Sequence, residues 1–179
     1  MPRYVAFLRA VNVGGRIVKM DELRGLFTEA GLSEVESFIA SGNIIFSATA
    51  RATAPIEQRV EAHLKRALGY DVPTLVRSTA EVATAAARAP FPDEDVAKAG
   101  AFVAAFLRAP LDAAGTQGLS GLASPLDRFA LHGREVYWLS TPRQSETTLT
   151  LAKFERAVGR IATMRAMTSL KKLAAKHCG

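Results

Sequence analysis

An arginine inside an apolar run, followed by an asparagine and two glycines, is a pattern able to hold an anion. It occurs at FLRAVNVGGR, Phe7 to Arg16. Arg9 and Arg16 would supply charge and forked hydrogen bonds to a phosphate or carboxylate, and Asn12 a further polar group. Gly14 and Gly15 would let backbone N–H groups come close, with no Cβ in the way. Lys19 follows shortly after, Asn43 sits in a second turn-like stretch (Ser41-Gly42-Asn43), and Arg77 and Arg165 end two further predicted strands. These residues are the candidate ligand-binding set. The glycine pair lacks both G-x-G-x-x-G and G-x-x-x-x-G-K-[ST], so neither nucleotide fingerprint is present. Two glycines after a strand are first of all a turn, and Ser-Gly-Asn is first of all a hairpin tip.

Catalytic chemistry has weaker support. His63, His132 and His177 stand alone in the sequence, with no neighbouring nucleophile and no metal-ligand spacing. Cys178 is the single cysteine, so an internal disulfide and a cysteine zinc site are both excluded. No catalytic residue is assigned, and no metal or cofactor is expected. Ser41 with a base remote in sequence stays open, and with it an enzyme of unassigned class.

About half of the 179 residues are apolar and 22% are charged, which suits a packed core and not a disordered chain. The longest apolar runs, such as AFVAAFL at Ala101–Leu107, are too short to cross a bilayer. MPRYVAFLRAVNV lacks the apolar region and cleavage site of a signal peptide. The expectation is a cytoplasmic protein with no membrane partner. The net charge of +6 is concentrated at one end. From Lys153 onward seven Lys or Arg face the single acid Glu155, which accounts for the whole excess. Arg156, Arg160, Lys171 and Lys172 are therefore an alternative, nucleic-acid-binding set, although a solvated helical face has the same composition.

The elements that must position these residues follow from periodicity. Arg3–Val13 alternates and reads as a strand that Gly14-Gly15 breaks. Met20, Leu23, Phe27 and Ala30 recur at helical spacing up to Gly31. SFIASGNIIFSA, Ser37–Ala48, reads as a hairpin. A helix at Ala54–Leu68 and a strand at Val72–Arg77 complete a βαββαβ order, with Pro73 pointing to a sheet edge. A helix at Thr79–Arg88 and a Pro-rich joint, Pro90 to Asp95, lead to a second series. It comprises a strand at Ala101–Ala109, a weak helix around Asp112–Leu122 interrupted by three glycines, and a hairpin at Arg128–Leu139 turning near His132-Gly133. Next come a helix with Leu151, Phe154, Val158 and Ile161 on one face, a strand at Ala162–Ala166 and a last helix at Thr168–Lys176.

The two series match in more than order. AFLRA at Ala6–Ala10 returns at Ala105–Ala109, and Val76-Arg77 corresponds to Met164-Arg165, each followed by a helix. The expected fold is α+β, a tandem duplication of two ferredoxin-like units with antiparallel sheets and extra connecting and C-terminal helices. The first unit would span residues 1–78, the connecting helix and linker 79–99, and the second unit with its basic helix 100–179.

VAFLRAVNVGGRIVKMDELRGLF followed by FIASGNIIFSA resembles the start of the domain-of-unknown-function family 1697. Its members begin with an FLRGINVGG-like stretch, a K-M-x-x-L helix and a Y-I-Q-S-G-N-x-x-F hairpin. The resemblance runs on to an E-R…T-x-R…T-x-x-K-L pattern, here Glu155-Arg156, Thr163, Arg165, and Thr168 to Leu173. It implies paired ferredoxin-like units and brings no established activity. The chain departs from the family at two points. The hairpin glutamine is Ala40, and the family's R-N-W is Arg165-Ala166-Met167. An activity that needed those two polar side chains would not carry over.

Alternation on the first strand places Val5, Phe7, Arg9 and Val11 on one face and Ala6, Leu8 and Ala10 on the other. The small and aliphatic set suits the helix-packed side and the Phe-x-Arg pair the open side. Phe106 and Arg108 repeat this. Two open faces packed on each other, with the arginines at the rim, is the favoured architectural reading. The leading function is non-catalytic binding of an anionic small molecule, a nucleotide or other phosphate compound, between the units. Single-stranded RNA stacked on the open faces ranks lowest, because the third strand, Ile44-Ile45-Phe46, offers one ring where RNP-type strands offer several. A protein-interaction module is the remaining alternative, and the oligomeric state is not legible.

Overall fold

The computed structural model describes residues 1–9, 11–12, 14–39, 42–141 and 149–179. Ala10, Val13, Ala40 and Ser41, and so the hairpin tip and the replaced glutamine discussed above, lie outside them. The fold is α+β. Among the described residues it has two four-stranded antiparallel sheets and seven helices, none long and apolar enough to cross a membrane. The chain divides into two compact units, Met1–Ala83 with Leu173–Gly179, and Thr84–Lys172.

The first unit runs β1 (Arg3–Leu8), α1 (Met20–Glu29), β2 (Ser33–Ser37), β3 (Asn43–Ser47), α2 (Thr53–Leu68) and β4 (Thr74–Ser78), with sheet order β2-β3-β1-β4. Tyr4, Ala6 and Leu8 of β1, Ile44 and Phe46 of β3 and Val76 of β4 share one face. They pack against Leu23 and Phe27 of α1 and Ile56, Val60 and Leu64 of α2. The Phe46 ring lies 5.8 Å from both Tyr4 and Phe27. Each large apolar side chain so buried contributes about 1.5–3 kcal/mol. Gly69 ends α2 in the left-handed conformation, φ +84°, which is why the helix stops there.

β4 is an edge strand, and an uncovered edge invites pairing with another chain. Two carboxylates one helical turn apart on α2 answer this. Glu61 accepts from the N–H of Thr74 and Glu57, itself buried, from the N–H of Val76, both at 2.8 Å.

The second unit runs α4 (Asp93–Lys98), β5 (Ala101–Leu107), α5 (Ala113–Leu122), β6 (Asp127–His132), β7 (Glu135–Ser140), α6 (Leu151–Val158) and β8 (Ala162–Ala166), with order β6-β7-β5-β8. Registers correspond: Phe7 faces Leu75 across β1–β4, and Phe106 faces Thr163 across β5–β8. Ala105, Leu107, Val136 and Ala162 pack on Leu119 of α5 and on Phe154 and Val158 of α6. Glu155 of α6 accepts from the N–H of Ala162, 3.3 Å, on this sheet's own edge strand. Tyr137 donates its hydroxyl to the carbonyl of Ala85, and burial, with Glu135 beside it, raises the phenol to about 12.

Several expectations are corrected. β1 ends at Leu8, not Val13: the N–H of Arg9 still bonds the carbonyl of Pro73 (2.9 Å) in the register of β4, but Pro73 has no N–H to return a bond. Alternation stops there, and Val11 joins the same core as Leu8. β5 likewise ends at Leu107, where the N–H of Arg108 goes to Ile161. β2 is the polar SEVES, irregular at Glu34 (φ +49°), while Phe38 and Ile39 lie in the connection beyond it. The Pro-rich joint contains a short helix, α4, whose first turn carries Asp93, Glu94 and Asp95, a charge favoured at that end. α6 stops at Gly159 (φ +66°), leaving Ile161 39% exposed and off the helix. Apart from these corrections, Phe7 and Phe106 are fully buried.

The helices after each unit's last strand start differently. α3 (Thr79–Ala87) begins on a reciprocal cap in which Ser78 N–H donates to Glu81 (2.8 Å) and Glu81 N–H to Ser78 Oγ (3.1 Å). α7 (Met167–His177) follows Ala166, an exposed residue with no side chain to cap its first turn. Ala166→Asn is expected to stabilise the protein by about 1 kcal/mol. Chemical denaturation checks it, and an unchanged midpoint would mean that the start of α7 is already satisfied.

Candidate functional site

β1 ends at Leu8, β3 begins at Asn43 opposite Phe7, and β4 begins at Thr74 opposite Leu8. The connections β1–α1, β2–β3 and α2–β4 therefore emerge at the same end of the first sheet. Backbone bonds hold them there: Leu8 N–H to Gly42 and Arg9 N–H to Pro73, each 2.9 Å. At Gly42, φ is +77° and a Cβ would stand 3.2 Å from that of Leu8, so both conformation and space call for glycine.

The β1–α1 connection is anchored by two buried side chains, Val11 and Val18. Asn12 closes it, its Oδ1 accepting from the N–H of Val18 at 2.7 Å. What the closure leaves outside is Gly14 and Gly15, both left-handed (φ +66° and +78°) and open to solvent, then Arg16 and Ile17, the latter 82% exposed. Among the described residues, chain neighbours apart, neither glycine has an atom within 4 Å of where a Cβ would be, so none of them fills the space beside the turn. Arg16 is not left loose. Its guanidinium lies 4.2 Å from the centroid of the Tyr70 ring, and the Tyr70 hydroxyl donates to the carbonyl of Val11 at 3.3 Å. Such a stack holds a charged fork in place while its N–H donors remain available.

Lys19 is exposed at the start of α1. Asp21 and Glu22 occupy the first turn of that helix and already answer its positive end, which argues against an anion seated there. Asn43 is buried, and its amide donates to the carbonyl of Phe38 at 3.1 Å across the β2–β3 connection. Ile39, φ +58° and half exposed, is a β-branched residue in a region such residues avoid, a strain of about 1–3 kcal/mol next to the same turn.

The remaining candidates lie elsewhere. Arg77 faces Val5, three residues along β4 or roughly 10 Å from the loop end, and is fully buried. Its Nη1 donates to the carbonyl of Val76 at 3.1 Å. Arg165 in the second unit repeats the gesture, donating to the carbonyl of Met164 (2.9 Å) and to Thr163 Oγ1 (2.8 Å), and burial lowers its guanidinium to about 10. Arg9 is half-buried at the first position after β1. Arg156 is exposed on α6, while Arg160 folds onto the carbonyls of Pro110 and Gly159 (3.3 and 3.0 Å). Lys171 and Lys172 are exposed on α7. The structure thus groups Arg9, Asn12, Gly14, Gly15, Arg16, Lys19 and Asn43 at one end of one sheet. Tyr70, the platform under Arg16, was missed, because an aromatic just past a helix-ending glycine carries no local mark of its partner. Among the described residues no three His, Cys, Asp or Glu are clustered to hold a metal.

One solved structure, described as that of the conserved bacterial protein SP0830 from Streptococcus pneumoniae, is similar over 98% of both chains at 21% sequence identity, with a TM-score of 0.79. At that identity the likeness concerns the fold. No curated protein matches the chain. A family model described as a protein of unknown function, DUF1697, matches residues 1–137, which ends inside β7 and so stops before β8 and the Glu155–Leu173 pattern. With the FLRAVNVGGR loop and the hairpin placed as one structural end, that match identifies the chain as a member of the DUF1697 family.

Proposed function

We propose that the first unit binds a small anionic ligand, a nucleotide or other phosphate compound, at the loop end of its sheet, without performing chemistry on it. The observation that carries this reading is the exposed Gly14-Gly15 turn with open space beside both glycines, followed by a guanidinium fixed on an aromatic ring. Arg16 and Lys19 supply charge, Gly14 and Gly15 an approach for backbone donors, and Asn12 the closure that shapes the loop. Both units are, in this proposal, ferredoxin-like and derived by duplication. Supporting that are the shared strand order, the matched AFLRA registers, the paired back-bonded arginines and the glutamate over each edge strand. RNA stacking of the RRM kind has less support, since Phe7 and Phe106 are buried.

The test is titration of the full chain with pyrophosphate and with ADP, followed by calorimetry. Arg16→Ala is expected to weaken binding 10- to 100-fold, as loss of a charge-assisted hydrogen bond of about 1.5–3 kcal/mol would. The exposed position of Arg16 should leave the unfolding midpoint nearly unchanged. Absence of millimolar binding by the parent protein, or equal affinity in Arg16→Ala, would overturn the proposal. Binding of short single-stranded RNA that collapses with salt and with Lys171→Ala/Lys172→Ala would replace it with the nucleic-acid reading.

A further inference from the structure

We infer that the second unit contains a separate binding site for a small monocarboxylate with an apolar body. The site is a cavity of about 250 Å³ where α4, the start of β6 and the end of β7 meet. That volume is the share of liquid occupied by about eight waters, which limits the occupant to a small molecule.

Two buried hydroxyl groups lie beside the cavity, both closed off from solvent, so a ligand meets them only after a side-chain rotation. Ser140 and Thr141 both line it, and the hydroxyl oxygens of both are buried with no hydrogen-bond partner among the described residues. Ser140 is 1% exposed. Its backbone is fully engaged, between Ala101 and Asp127 in the sheet and through its carbonyl to the N–H of Gly100 (2.9 Å). Only the side chain is left over, and a buried hydroxyl in that state is a cost that native proteins rarely carry without a reason. Rotation about one side-chain bond moves such a hydroxyl between staggered wells.

The charges define the ligand class. Arg128 and Lys98 line the cavity; Lys98 is paired with Glu94 (2.6 Å), and Arg128 is held by Asp95 (2.8 Å) and by the Phe91 ring, 5.1 Å from its guanidinium carbon. Asp95 takes one of the five guanidinium donors, so the fork retains others. Glu94 answers Lys98 and Asp95 answers Arg128, so the charges around the cavity balance, and the spare donors of one guanidinium suit a single carboxylate better than a doubly charged phosphate. Leu126 and Leu139 give the occupant an apolar wall. A carboxylate on Arg128, an aliphatic body against the leucines and a ligand oxygen accepting from Ser140 or Thr141 would use every feature. This site shares no residue with the loop end of the first unit, and the two proposals stand or fall separately.

The experiment is NMR titration of the full chain with butyrate, 2-hydroxybutyrate, uncharged butyramide and inorganic phosphate. Saturable shifts of the Leu126, Ser140 and Thr141 amides are expected with the two carboxylates, with the hydroxy acid tighter. Arg128→Gln should weaken both at least tenfold, and Ser140→Ala should remove the advantage of the hydroxy acid. Ser140→Ala should also raise the unfolding midpoint of the ligand-free protein, because an unsatisfied buried hydroxyl is gone. That rise sets a binding role apart from a structural hydroxyl, whose loss lowers the midpoint. Butyramide binding as well as butyrate, phosphate binding better than either, or no saturable shift from any probe would overturn the inference.

Discussion

Gly118→Ala is expected to lower the unfolding midpoint of the second unit by roughly 10 °C. A Cβ on Gly118 would stand 1.9 Å from the carbonyl oxygen of Ala157, and one on Gly115 2.5 Å from that of Val158. Both obstacles are backbone atoms of α6, not flexible side-chain ends, so the helices must separate. Forcing matter into a packed contact costs about 1–3 kcal/mol, and an obstacle with no rotamer to yield puts this case near the upper figure. For a chain of this size each kcal/mol moves the midpoint by about 2–4 °C. Gly121, one turn further along α5, has nothing within 4 Å of its Cβ position. Gly121→Ala should therefore stabilise, by about 0.5 kcal/mol, through reduced freedom of the unfolded chain. Trp138, the only tryptophan, lies in this unit next to Phe129, so its fluorescence reports the transition. Equal midpoints for the two variants would mean that α5 and α6 are not held at this spacing.

Glu57→Leu should cost about 2–3 kcal/mol and Glu57→Gln under about 1 kcal/mol. Glu57 is buried, and its Oε1 accepts from the N–H of Val76 on the edge strand β4. Leucine leaves that donor buried without a partner, whereas glutamine keeps a carbonyl oxygen in its place. Hydrogen exchange locates the effect. The Val76 amide should lose protection in Glu57→Leu and retain it in Glu57→Gln. Glu61→Leu, acting on Thr74 from a less buried position, should do less. An uncovered β4 edge is also a template for pairing, so Glu57→Leu should self-associate on concentration. Unchanged Val76 protection in Glu57→Leu would show that another group satisfies that amide.

Much of the architecture was legible because its signals are local. Leu23 and Phe27, or Ile56, Val60 and Leu64, announce a helix face by spacing alone, and Gly31, Gly69 and Gly159 adopt the left-handed conformation that helix ends favour. The two AFLRA copies begin on β1 and β5, each the third strand in the order of its own sheet. β2 was misplaced because SEVES has no apolar alternation to detect and its irregularity at Glu34 breaks the period. Val11 was put on the wrong face because alternation says nothing about where a strand stops.

The sequence by itself determined the order of the strands, the ends of α1 and α2 and the repeat. It also singled out the loop whose arginine and glycines stand exposed at one end of the first sheet. Tertiary structure alone decided that Gly115 and Gly118, which read as weaknesses in a helix, are the points where α6 comes close. It alone set Arg16 on Tyr70, buried Arg77 and half-buried Arg165 against their own strands' carbonyls, and left Ser140 and Thr141 beside a cavity. Periodicity and turn preferences act between residues a few positions apart and leave their mark in the local sequence. Close approach, ring stacking and burial of a charge arise between segments far apart in the chain, and no local pattern records them.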